Sequence, residues 1–112
     1  MRTNKNHFHK LVRDKIPQII EGGGKKVKFS KLVKHDRREA LRNKLNEEVD
    51  ELLASKTPEE ILEEIVDVHE VLMAMVYDAG FIDADMFLLA KQKKREKGAF
   101  EDFVWLESVE DI

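Results

Sequence analysis

Cysteine is absent from the 112 residues, which excludes a disulfide framework and any thiolate metal site and fits a reducing compartment. Only two prolines and five glycines occur, and neither a low-complexity linker nor an internal repeat is present. No apolar run approaches the roughly 18 residues that span a bilayer. The opening "MRTNKNHFHK" lacks the apolar core of a secretory signal. A cytoplasmic protein with no membrane partner is expected. Neither sign of charge dominates, since 23 acids face 20 lysines and arginines for a net charge of -3. That balance excludes a disordered acidic tail and argues against nucleic acid as a partner. What remains is a chain 42% apolar and 38% charged, of a length that suits one domain over residues 1–112. With both signs plentiful, the placement of charge carries more information than its total.

Helical spacing dominates the pattern. Pro17 sits early in a short expected helix over residues 14–21, with Gly22 as its stop. Val27, Phe29 and Lys31 alternate weakly, as a short strand or extended N-terminal arm would. From residue 36 to 54, Leu41, Leu45, Val49, Leu52 and Leu53 recur at helical intervals. In "SKTPEE", Thr57 is the expected N-cap, Pro58 the first helical residue and Glu60 the capping-box partner. A second long helix then runs to about Ala79, where Gly80 can take the left-handed stop conformation. Asp83 is the expected cap of a third helix, closed by Gly98. The final run Phe103, Val104, Trp105 and Leu106 is too short to assign as strand or coil. The expected architecture is all-α, an antiparallel helical bundle.

The acids are placed unusually. Rotating each helix by 100° per residue puts Glu48 at the edge of the apolar arc of the first long helix. Glu51 lies one turn along, and Asp50 points away. The second long helix has an apolar arc of about 240°, and Glu64 falls inside it, between Val71 and Met75. Asp67 lies just beyond that arc, and Glu70 a further step round. A carboxylate inside an apolar arc is costly unless it is paired or bound to metal. Two acidic pairs, Glu48/Glu51 and Glu64/Asp67, thus arise on helices that a short loop should set antiparallel. An all-oxygen set of this kind favours Mg²⁺ or Mn²⁺ over zinc. A merely solvated acidic face would have to occur twice, on neighbouring helices, with Glu64 on the wrong side for it.

These residues resemble the all-α nucleoside triphosphate pyrophosphohydrolases, the MazG-like superfamily that includes phosphoribosyl-ATP pyrophosphohydrolase. The family signature is E-x-x-E, a spacer, then E-x-x-D. Here it reads "EVDE" at 48–51, twelve intervening residues, and "EIVD" at 64–67. The flanks "KLNEEVDEL" and "EEIVDVHEVL" agree. "KLVRDKIPQII" and "KREKGAF" resemble segments of a small branch of the family, so the resemblance spans nearly the whole chain. The chain departs from that branch at Ala99, where a second glycine is usual, and in its short spacer, which implies a tight connection between the two helices.

The resemblance implies hydrolysis of a nucleoside triphosphate between its α- and β-phosphates, giving a monophosphate and pyrophosphate. It implies that Glu48, Glu51, Glu64 and Asp67 hold Mg²⁺, with Glu70 as an outer ligand or a partner behind the ligands. Glu48 or its neighbour Glu47 is the expected proton acceptor. Lys93, Arg95 and Lys97, in the run "KQKKREKG", are expected either to contact the triphosphate or only to complement the helix dipole. Lys10, Arg13 and Lys15 form a second basic group with the same two readings. No G-x-x-x-x-G-K-[ST] pattern accompanies the three glycines at 22–24, which read as a turn. His69 is expected to pack within the apolar arc, and His7, His9 and His35 show no metal-site spacing. The aromatic residues are expected in packing. The wide apolar arc of the second long helix calls for two neighbours, and the family forms dimers or tetramers, so a homo-oligomer is expected. Phosphoribosyl-ATP hydrolysis and a non-catalytic helical interaction module are the alternative functions.

Overall fold

Four helices make up the regular structure of residues 8–112, which the computed structural model describes. They are α1 (Ile16–Gly22), α2 (Lys34–Ala54), α3 (Pro58–Asp78) and α4 (Asp83–Lys97). His7 lies outside the described residues. No strand occurs among the described residues, so the fold is all-α. The weak alternation at residues 27–31 forms no strand, because an isolated strand there has no partner to complete a ladder.

The α2–α3 corner forms where the local signals lie. Thr57 Oγ1 accepts a hydrogen bond from the Glu60 amide at 3.1 Å, and Pro58 opens α3 without losing a donor. The Glu60 carboxylate reaches one residue further back than a capping box requires, accepting from the Lys56 amide at 3.0 Å. On the other side of the corner, the Ser55 hydroxyl donates to the Glu51 carbonyl at 3.0 Å, which closes α2. Thr57→Ala should therefore cost about 1 kcal/mol. The expected readout is a lowered thermal midpoint with divalent-cation binding unchanged; an unaltered midpoint would show the cap to be dispensable.

The far end of α3 follows the expected stop. Gly80 takes φ +94°, its amide donates to the Tyr77 carbonyl, and the Phe81 amide reaches back to the Val76 carbonyl, both at 3.0 Å. That double bond is the Schellman arrangement. Other boundaries shift: α1 begins at Ile16 rather than 14 and α2 at Lys34 rather than 36, and two stop and cap positions differ from expectation. Gly22 is the last residue of α1, and the left-handed conformation falls on Gly24 at φ +85°. In a run of three glycines each can take that φ, so side-chain identity does not select one. At α4, Ile82 is the cap and Asp83 the first helical residue. The Ile82 amide is satisfied by Asp85 Oδ2 at 2.9 Å, while Asp83 accepts a hydrogen bond from the Tyr77 hydroxyl, which raises the Tyr77 pKa.

Packing is concentrated between α2 and α3, and α4 touches only α3 among the helices. The buried apolar side chains among the described residues are Leu41, Val71 and Met73, with Pro17 in the first turn of α1. Ile65 and Leu72, on the apolar side of α3, are 47% and 39% exposed, and His69, expected to pack within the apolar arc, is exposed beside them. The terminal aromatics do not pack either: Phe100, Phe103 and Trp105 are each at least 85% exposed, on irregular chain. The reason is geometric. One neighbour covers one stripe of a helix, and α3 carries two. The chain is accordingly extended, with a radius of gyration of 19.5 Å against about 13 Å for a compact domain of this length.

Candidate metal centre

Glu48 and Glu51 stand one turn apart on α2, and Glu64 stands on the facing surface of α3. One carboxylate oxygen from each lies within 4.8 Å of the others. The sequence spacing explains the meeting: Glu64 and Val71 are two turns apart on the stripe that packs against α2, so Glu64 is carried into the helix interface. Glu48 is only 7% exposed. Oε2 of Glu48 and Oε2 of Glu64 are both buried without a hydrogen-bond partner. A buried carboxylate oxygen left without a donor is costly. Two of them in one cluster are what a hard divalent cation, which takes oxygen ligands and cancels their repulsion, would relieve. The residues present therefore fit such an ion.

The cluster has a resident cation beside it that the sequence reading did not single out. Lys44, with only 15% of its side chain exposed, contacts Glu48 Oε1 at 3.1 Å and Glu47 Oε1 at 3.4 Å. Its burial works against the charged form, but the hydrogen bonds to and charges of Glu48 and Glu47 outweigh that and raise its pKa. The spacing i to i+3 and i+4 was a usable signal for this contact. Lys44 thus engages one oxygen of Glu48 while the other stays unpartnered.

Asp67 is placed differently. Its Oδ1 receives Arg13 Nη2 at 2.8 Å, and it is not among the three converging carboxylates. Glu47 Oε1 receives Lys10 at 3.5 Å as well as Lys44. Glu70 is exposed on α3 outside the cluster. Lys93, Arg95 and Lys97 stand exposed in the last turns of α4, and Lys15 caps α1 at the surface. Within the acidic cluster Glu48 is buried, Glu64 half-buried and Glu51 exposed. Shallow depressions elsewhere, one lined by Glu21, Gly24 and Lys25 and another by His35, Arg38 and Arg42, contain none of its carboxylates.

No family model matches this chain, and no curated protein or solved structure does either. No helix of the described residues is long and apolar enough to cross a membrane.

Glu51 carries the electrostatic signature of the cluster. Desolvation at its carboxyl, then the charges of Glu48 and Glu64, raise its pKa. The folded chain consequently retains the Glu51 proton over a pH range in which the unfolded chain has lost it. The stability this confers is complete below the unfolded value and is lost as pH rises through the raised folded value. In chelator, Glu51→Gln should therefore melt higher than the wild type at neutral pH, with the gap closing on acidification to about pH 4. Melting curves across pH check this, and a gap independent of pH would remove the repulsion argument.

Proposed function

We propose that this chain is a Mg²⁺-dependent, or Mn²⁺-dependent, pyrophosphohydrolase that cleaves nucleoside triphosphates between the α- and β-phosphates. The observation that carries the reading is the meeting of Glu48, Glu51 and Glu64 from two helices, with two buried oxygens that have no protein partner. The E-x-x-E and E-x-x-D spacing and its flanks supply the reaction class by resemblance to the MazG-like superfamily. When bound, the cation supplies positive charge to the phosphates and acidifies water so that hydroxide is available near neutral pH.

The chain's own residues supply the rest. Lys44 holds Glu48 Oε1 and fixes that side chain. Glu47 is half-buried, with Oε1 engaged by Lys10 and Lys44; its Oε2, or a carboxylate oxygen of Glu48, accepts the proton of the attacking water. The bridging P–O bond breaks as the new one forms, and monophosphate and pyrophosphate leave. Arg13, Lys15, Lys93, Arg95 and Lys97 contribute phosphate contacts, with arginine offering two parallel donors. The second stripe of α3 is uncovered, which supports a homodimer or homotetramer in which another copy walls the nucleotide pocket. A cytoplasmic nucleotide-pool enzyme is the cellular setting this implies.

Purified protein incubated with Mg²⁺ and a panel of nucleoside triphosphates, with phosphoribosyl-ATP included, should release pyrophosphate from at least one of them, and chelator should stop it. Folded protein that releases none from the whole panel would leave the helical interaction module as the surviving reading.

A further inference from the structure

Two basic residues of the segment ahead of α1 reach different helices. Lys10 contacts Glu47 of α2 at 3.5 Å, and Arg13 contacts Asp67 of α3 at 2.8 Å. The segment is anchored by half-buried Leu11 and Val12 and by buried Pro17, so it lies as a strip of positive charge across the acidic side of the hairpin. Of the four carboxylates in the two acidic motifs, Asp67 alone stands outside the converging group, and it is the one held by a guanidinium. The side chains of Arg13 and Asp67 are 52% and 39% exposed. A pair this open to water is weak enough to exchange partners.

We propose that Arg13 couples polyphosphate binding to cation binding by exchanging Asp67 for the polyphosphate. The inference rests on the metal reading of Glu48, Glu51 and Glu64. While Arg13 is on Asp67, that carboxylate is engaged and the cation has three carboxylates to choose from. A polyphosphate offers the guanidinium a denser anion with matching geometry. Arg13 transfers to it, and Asp67 becomes available to the cation one turn along α3 from Glu64. Each ligand thereby removes the competitor of the other, so the coupling is positive and reciprocal.

Two titrations on the full-length chain test this without reference to turnover. The first uses Mn²⁺ alone, with free ion followed by electron paramagnetic resonance, on the wild type, Arg13→Ala, Asp67→Asn and the double variant. Lys28→Ala, which removes an exposed positive charge from the loop before α2, is the charge-matched control. Arg13→Ala should bind Mn²⁺ roughly fivefold or more tightly than the wild type. Lys28→Ala should not, and the gain should vanish in the Asp67→Asn background. The second uses inorganic tripolyphosphate and metal-free protein, followed by phosphorus NMR. Asp67→Asn should bind it several-fold more tightly than the wild type because Arg13 is released, whereas Glu63→Gln should not.

Unchanged Mn²⁺ affinity in Arg13→Ala, with the wild type binding normally, would overturn the coupling and leave the metal site standing. Equal tightening in Lys28→Ala would overturn it as a bulk charge effect. Mn²⁺ binding by none of the variants would remove the metal reading, and the coupling with it. Circular dichroism on each variant separates these outcomes from loss of fold.

Discussion

Glu48→Gln is expected to reduce Mg²⁺-dependent pyrophosphate release by roughly a hundredfold or more, since losing even a group behind a metal ligand costs about 10- to 100-fold. The argument for Glu48 above its neighbours is structural. It is the one buried charged side chain among the described residues, and its Oε2 has no donor. Its Oε1 is fixed by Lys44, so the side chain is held in place before any cation arrives. Glutamine keeps the volume but removes the negative charge, and its amide nitrogen is no ligand for a hard cation. Lys44 retains Glu47 as a partner, so the variant leaves no unpaired buried ammonium. Asp67→Asn should cost less than Glu48→Gln, because Asp67 stands outside the converging group. Mn²⁺ affinity should fall with activity in Glu48→Gln while the thermal midpoint in chelator changes little. Retention of more than about a tenth of wild-type activity in folded Glu48→Gln protein would be too small a loss for a direct ligand and would remove this residue from the site.

The helix boundaries were legible where the signal is local and unambiguous. Thr57, Pro58 and Gly80 act through their own backbone and side-chain chemistry, and each does in the structure what its identity dictates. The glycine run at 22–24 was ambiguous because adjacent residues share the property that matters. The meeting of Glu48, Glu51 and Glu64 followed from periodicity, since residues three and four apart share a face and a short corner turns two such faces toward one another. The partner of Asp67 did not follow. Arg13 lies 54 positions away, joined through an irregular segment whose path no periodicity encodes. Lys44 was within reach of the same helical arithmetic that placed the acids. Burial was the least legible property. An apolar residue at the right spacing has a side facing a neighbour only if that neighbour is present, and α3 displays two stripes to one partner.

The uncovered stripe leads to the second large expected effect, which is that Ile65→Arg breaks the assembly and lowers the thermal midpoint severely. Leu62, Ile65, His69, Leu72 and Val76 share one face of α3 by their spacing, and Leu62 and Ile65 are 64% and 47% exposed. A chain of this length that buries Leu41, Val71 and Met73 as its apolar core has little to offset the entropy of ordering its backbone. A second copy covering the stripe would supply the missing burial, at roughly 1.5–3 kcal/mol for each fully buried aliphatic side chain. In an isologous interface each substitution is felt twice. Arginine at position 65 removes that burial and places a charge in the middle of the contact. Wild-type protein is therefore expected to sediment at a small multiple of the 13.1 kDa chain, with a midpoint that rises with protein concentration. Ile65→Arg should sediment as a single chain and lose most of its helical signal at temperatures where the wild type is folded. Glu63→Arg, two positions away and exposed, makes a comparable change outside the stripe and should do neither. Sedimentation of Ile65→Arg at the wild-type mass, with the wild-type midpoint, would place the contact between copies elsewhere and leave this face of α3 unexplained.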